Sequence, residues 1–253
     1  MPKLKRLFWD IETSPNVVLS WRVGAKLSIG HDNILKERAV ICICWKWEGE
    51  KTVHSLTWDQ DQDDRDMILA FLRVAAEADE LIAHNGDRFD MKWFRTRCLY
   101  HGVKSVPPLV TVDTLQWARR LFNFNSNRLD YIAQYLGVGG KLSTGFKLWK
   151  RIVLQKDAKA LSQMVTYCKN DVAILEKVWA KLRTYAPTKT NAAVVVGKPS
   201  WACPHCGSTD VVKTKTRVTA GGALRHQMQC KAESVFYTLT DTAYRGYIKV
   251  RHG

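Results

Sequence analysis

Residues 8–14 read FWDIETS and place two carboxylates, Asp10 and Glu12, within and just past RLFWDI, a run with the character of a first core strand. In an extended chain alternate side chains share a face, so Leu7, Trp9 and Ile11 point one way and Phe8, Asp10 and Glu12 the other. Neighbouring anions on a largely buried strand are costly unless a cation or hydrogen bonds offset them. A divalent metal would do so. A strand that ends at Asp10, with both acids solvated, satisfies the same pattern.

Outward from this strand, residues 1 to about 186 mix strand-like runs (LKRLFWDI, AVICICWKW, KTVHSLTW, ELIAHN, PLVTVDT) with helical ones (MILAFLRVAAEA, MKWFRTRCLYHG, TLQWARRLF, LDYIAQYLG and the long AKALSQMVTYCKNDVAILEKVWAKLRTY). Short links such as EGEK between the first three strands predict an antiparallel meander, and the later strands alternate with helices. The expected fold class is α/β, a mixed sheet flanked by helices. Residues 187–199, PTKTNAAVVVGKP, read as a linker with two prolines and a glycine, and residues 200–253 as a small cysteine-bearing β unit without a long helix.

Composition narrows the function. The chain of 253 residues carries a net charge of +15, so a polyanion such as nucleic acid is the first partner to consider. Residues 187–253 hold ten Lys and Arg against three Asp and Glu, a denser positive charge than the remainder carries. No run of about 18 apolar residues and no secretory leader pattern is seen, so the expectation is a soluble, cytoplasmic monomer without membrane contact. Seven cysteines, an odd number, predict reduced thiols with some on a metal. Cys42 and Cys44 alternate along an apolar strand and read as core; Trp45, Trp47 and Trp149 read either as core or as platforms for unpaired bases.

Two further acid-bearing stretches follow. In ELIAHNGDRFDMKWF, residues 80–94, a strand ending at Asn85 passes through Gly86 into a helix with Asp87 and Asp90 in its first turn; Phe89 anchors that turn and aims Asp90 at the strand tips. Asp87 is read as a helix cap, as is Asp113 ahead of the next helix. In MVTYCKNDVAILEKVW, residues 164–179, Tyr167 and Asp171 lie four apart on one face of a helix whose Met164, Ile174, Leu175 and Val178 point inward.

In this order, DIET, NGDRFD and YCKND resemble the three exonuclease motifs of the DEDD superfamily, tyrosine subgroup, on a ribonuclease-H-like fold. Asp10 and Glu12 match the first motif, Asn85, Phe89 and Asp90 the second, Tyr167 and Asp171 the third; Thr166 stands where the histidine subgroup would need His. The resemblance spans residues 1–186, including VDTLQWARRLF and LDYIAQYLGVGGK. It implies a 3′-to-5′ exonuclease that releases nucleoside monophosphates with two Mg²⁺ or Mn²⁺ ions held by Asp10, Glu12, Asp90 and Asp171. Asp10 would bridge both ions, and Tyr167 would orient the attacking water. DNA with single-stranded ends is the favoured substrate and RNA the alternative; a nucleic-acid-binding protein with an inactive nuclease fold and a structure-specific endonuclease are the competing functions.

The tail carries WACPHCGS and RHQMQCKAES, which supply Cys203, Cys206 and Cys230 at zinc-ribbon spacing. Glu233 occupies the register of a fourth cysteine, with His226 and His205 as competitors, and a ribbon held only by its sheet and by Phe236 and Tyr237 is the metal-free alternative. Lys213, Lys215, Arg217 and Arg225 fall on the hairpin between the cysteine pairs, where they can follow a phosphate backbone or face solvent.

Overall fold

The computed structural model describes residues 4–24, 27–140 and 144–252; Lys141, at the end of the LDYIAQYLGVGGK segment, lies outside them. The central sheet has five strands in the order β5-β4-β1-β6-β7. Here β1 is Arg6–Thr13, β4 Val40–Trp47, β5 His54–Thr57, β6 Glu80–Ala83 and β7 Thr111–Asp113. The first three pair antiparallel, and β6 and β7 run parallel to β1. All five expected strands are present, in the expected mixed arrangement.

Between β1 and β4 the link is long, contrary to expectation. The chain leaves the sheet after Thr13 and returns at Val40, forming on the way a two-stranded ribbon, β2 (Val17–Val18) and β3 (Ile34–Lys36). Val17, Leu19, Trp21 and Val23 alternate as a strand would, yet the strand stops at Val18 and the last three are exposed, so this pattern marks no buried face.

Helices cover both faces. On one side pack α1 (Arg65–Ala76) and α2 (Asp90–Tyr100), where Trp9 stacks on Phe71 and meets Phe94 edge-on. On the other lies α6 (Ala158–Leu182), whose Trp179 meets Phe8 at 5.2 Å. The alternation read from the sequence thus holds, with Trp9 facing one layer and Phe8 the other. Three shorter helices complete this unit: α3 (Thr114–Leu121), α4 (Leu129–Tyr135) and α5 (Phe146–Gln155).

A second apolar cluster, containing Ala193, Trp201, Cys203, Val211, Met228, Cys230, Val235, Tyr237, Leu239 and Tyr247, forms the tail. Its sheet has the order β10-β9-β8, with β8 Val211–Val218, β9 Leu224–Cys230 and β10 Phe236–Thr240. Two features correct the sequence reading. The stretch read as a linker contains a short helix, α7 (Ala192–Val195), capped by Asn191, and its Ala193 joins the tail's core. The tail also ends in a 12-residue helix, α8 (Asp241–His252), whose Tyr247 packs on Trp201 and donates to the Val211 carbonyl at 3.4 Å. Glycine and basic residues dilute the helical pattern in TAYRGYIKV, so packing on the sheet fixes this helix where propensity does not. Phe236 is exposed, and Tyr237 alone of that pair holds the ribbon, donating to the Trp201 carbonyl at 2.7 Å.

One buried ionic network pins α2 to β4. Asp64, with no exposed surface, accepts from Arg97 Nε at 2.7 Å and Nη2 at 2.8 Å, from His101, and from the Val40 N–H. Burial pushes the Asp64 carboxyl up, but these hydrogen bonds outweigh it and hold the pKa below the usual value. Replacing Arg97 by Met should strand that charge and destabilise the fold by about 3–5 kcal/mol in urea unfolding, equally with and without a chelator.

Candidate active site

The site forms where β1 outruns its parallel neighbour. Strand β6 pairs with β1 only over Arg6–Phe8 and ends at Ala83, so the Ile11 N–H has no strand partner on that side. Asp90 Oδ1 takes it at 3.1 Å. The chain reaches Asp90 through a tight turn: Asn85 adopts φ 69°, and its carbonyl accepts from Arg88 and Phe89. A Cβ on Gly86 would lie 2.4 Å from that of Ala83, which explains a glycine at this place.

This turn corrects two expectations. Helix α2 starts at Asp90, after the turn, so Asp87 is not in its first turn and does not cap it; its carboxylate accepts instead from Gln116 Nε2 at 2.8 Å. Asp113 does cap α3, as expected, accepting from Leu115 and Gln116, and also receives the Asn85 N–H at 2.9 Å. Asn85 is thus tied through its backbone to the floor of the site.

Helix α6 brings in the last two groups. Met164, Ile174, Leu175 and Val178 are buried as the periodicity requires, and Tyr167 is turned to the β1 acids. Enclosure raises Asp10 well above the ordinary carboxyl range, and the nearby charges of Asp90, Glu12 and Asp171 push it further. Burial likewise raises Asp90 to about 7, with Asp113 adding to the effect and the Ile11 N–H opposing it. Burial is the first cause raising the Tyr167 phenol too, followed by the charges of Asp171 and Glu12; the phenol also hydrogen-bonds Asp171. The structure therefore brings together Asp10, Glu12, Asp90, Tyr167 and Asp171.

Four carboxylates that act on one another where water is scarce fit hard divalent cations, which take oxygen ligands and offset the mutual repulsion. Cys168, which the sequence reading did not single out, donates to Asp10 Oδ2 at 3.4 Å. It closes a buried trio with Cys42 and Cys44, whose sulfurs lie within 4.8 Å of one another; those two are core, as expected. Trp45 is also core, stacked on His54, and not a free platform for bases; Trp149 is half-buried, with its ring N–H on the Thr13 carbonyl at 3.0 Å.

Beside Tyr167 opens a cleft of about 880 Å³ edged by α5 and α6, with Phe146, Lys147, Lys150, Gln163 and Thr166 on its walls. Phe146 is 63% exposed, and Lys150 lies over its ring at 5.9 Å. The sequence reading missed α5; the available signal was the apolar spacing of Leu148, Ile152 and Val153 among basic residues.

In the tail, the sulfurs of Cys203, Cys206 and Cys230 lie within 4.8 Å of one another, Cys206 and Cys230 at 3.7 Å. Burial pushes the Cys203 thiol up to about 12, so a cation is needed to draw off its proton at neutral pH. His226 is engaged elsewhere, bonded to Thr216 and Asp241 and stacked on Tyr244 at 3.9 Å. Lys213, Lys215 and Arg217 lie on the edge strand β8, largely exposed, with Lys213 over the Tyr244 ring.

The sequence family described as the RNase H superfamily matches residues 34–183. The chain belongs to the RNase H superfamily. The match begins after β1, so Asp10 and Glu12 stand outside it, as does the tail. Among solved structures, the chain is similar to the family B DNA polymerase from the hyperthermophilic archaeon Pyrobaculum calidifontis. That match has a TM-score of 0.55 and 18% identity, and it covers 73% of this chain and 25% of the polymerase chain. At this identity the likeness is one of fold. No curated protein matches in sequence. The ribonuclease-H-like fold class read from the motifs thus holds for this chain, with a small β unit appended.

The raised carboxyls have a stability consequence. Asp90 binds its proton more tightly folded than unfolded, so its contribution is greatest below about pH 4 and is lost as pH rises to about 7. Without divalent ions, Asp90→Asn should match the parent at pH 4 and exceed it by up to about 4 kcal/mol at pH 8 in thermal unfolding. Mg²⁺ should stabilise the parent more at pH 8 than at pH 5.

Proposed function

We propose that the chain is a metal-dependent 3′-to-5′ exonuclease of the DEDD type, tyrosine subgroup, acting on single-stranded DNA ends. Membership of the RNase H superfamily supports nuclease chemistry on nucleic acid. The observation that carries the finer reading is the convergence of Asp10, Glu12, Asp90 and Asp171, with Tyr167 among them, at the open end of β1. Two Mg²⁺ or Mn²⁺ ions on these carboxylates would supply an activated water and offset charge on the phosphate and leaving oxygens.

The chain's own groups divide the remaining work. Asp90 is fixed by the Ile11 N–H, and Asp10 by Cys168. Tyr167, raised above the ordinary phenol range, stays protonated at neutral pH; its O–H is held by Asp171, and its oxygen accepts from a water and positions it, so it is not the base. The cleft beside it accommodates terminal nucleotides, with Lys147 and Lys150 against phosphates and Phe146 against a base. The tail, with Cys203, Cys206 and Cys230 on one structural Zn²⁺, adds the basic strand β8 as a sequence-independent phosphate contact. A cytoplasmic monomer remains our working picture.

Asp10→Ala and Asp171→Ala should stay folded and lose Mg²⁺-dependent hydrolysis of an end-labelled DNA strand by at least about 100-fold, and Tyr167→Phe by about 100-fold. Laddering from the 3′ end with circles left intact is expected. Cut circles would instead assign an endonuclease, and binding without hydrolysis a nucleic-acid-binding protein. Neutralising Lys213, Lys215 and Arg217 together should weaken single-strand binding and lower its salt slope by about 2–3, while the parent's turnover at saturating substrate is kept.

A further inference from the structure

Where the tail meets the nuclease unit, the contact is ionic and largely buried. Arg6 of β1, 6% exposed, bonds Glu80 at 2.9 Å and Glu48 at 3.1 Å, and its Nη2 donates to the His205 carbonyl at 3.4 Å. Glu80 Oε1 in turn accepts the Thr190 N–H at 3.1 Å. Arg183, one residue beyond α6, donates to Glu233 Oε1 at 2.6 Å. The two guanidinium groups both lie over the Trp179 ring, at 5.2 and 5.0 Å.

Glu233 is the anomaly of this junction. Its Oε1 has a charged partner, yet its Oε2 is buried without a hydrogen bond, an arrangement that costs free energy unless something else meets the oxygen. The carboxylate lies outside the group of three thiols, but close enough to Cys206 for its charge to act on that sulfur. Arg6, Arg183, Lys198, His205, Cys206 and Glu233 share one cavity of about 370 Å³.

We propose that Glu233 completes the tail's metal centre through Oε2 while Oε1 stays on Arg183, so that one ion joins Cys203, Cys206 and Cys230 to the end of α6. This rests on the zinc reading of the tail and goes beyond it. Three thiolates and a carboxylate on Zn²⁺ carry a net charge of −2, and Arg183 and Lys198 at the cavity are of the sign to balance it, whereas Arg6 is already met by Glu80 and Glu48. An arginine that fixes a ligand carboxylate is a positioning residue whose loss loosens the metal. The ion then acts as a latch between the two units, and its loss frees the junction. His205, in the same cavity, is the competing fourth ligand.

The test uses the full chain, zinc quantified by mass spectrometry, release followed with a chromophoric chelator, and hydrogen exchange over residues 179–190. One zinc per chain is expected, with release about tenfold or more faster from Glu233→Gln and also faster from Arg183→Met, while His205→Ala releases at the parent's rate. Withdrawing zinc should raise exchange over 179–190 in the parent, whereas Arg183→Met should start high and not respond. Stoichiometric zinc with parental release from both Glu233→Gln and Arg183→Met, or faster release only from His205→Ala, would overturn the latch and leave the zinc centre standing. A folded, fully reduced protein that takes up no zinc would overturn both.

Discussion

A single unpaired backbone donor organises this molecule. Because β6 is four residues long and pairs only with the first part of β1, the Ile11 N–H is released into the interior, where an unmet donor is costly. Asp90 meets it, and doing so ties the first residue of α2 to the middle of β1. The same bond brings a third carboxylate against Asp10. What satisfies the backbone therefore creates the electrostatic problem that defines the site: anions crowded where water is scarce, tolerable only with protons or cations present.

Helix α6 carries that problem to the other end of the protein. Tyr167 and Asp171 sit on its β1-facing side, and Arg183 follows its last residue. At 1.5 Å per residue, Asp171 and Arg183 are roughly 18 Å apart along one continuous rod. Trp179 lies between, flanked by Phe8 of β1 and by both junction arginines. One continuous helix thus carries both Tyr167 and Asp171 of the acid cluster and, just past its end, the arginine that bonds Glu233 of the tail.

Much of this was legible because it is written in periodicity. The alternation of Leu7, Phe8, Trp9 and Asp10 gave β1 its two faces, and the spacing of Met164, Ile174, Leu175 and Val178 gave α6 its buried stripe, the same sheet-facing side on which Tyr167 and Asp171 fall. Residues set by turns were harder. Asn85 at positive φ and Gly86 against Ala83 move the start of α2 past Asp87, a shift of backbone geometry that local acidity does not announce. Tertiary partners were not legible at all: Cys168 on Asp10, Arg183 on Glu233 and α8 on the tail sheet each depend on elements far apart in sequence.

Acid clusters alone would have misled. Asp63, Asp64 and His101 bring ligand atoms within 4.8 Å of one another, a closeness found for no group of the β1 acids among the described residues, and by composition they rival the β1 site as a metal centre. Electrostatics separates the two. Asp64 receives a bidentate guanidinium, an imidazole and a backbone N–H, so its negative charge is already met and its proton affinity lowered. A cation there would have to displace Arg97 from a buried pair, at the cost of leaving that guanidinium without a partner. Asp10 is the reverse: its neighbours are other acids, and its proton affinity is raised. The direction of the shift, read with its cause, marks Asp64 as a strut and the β1 carboxylates as a place where positive charge has to arrive from outside.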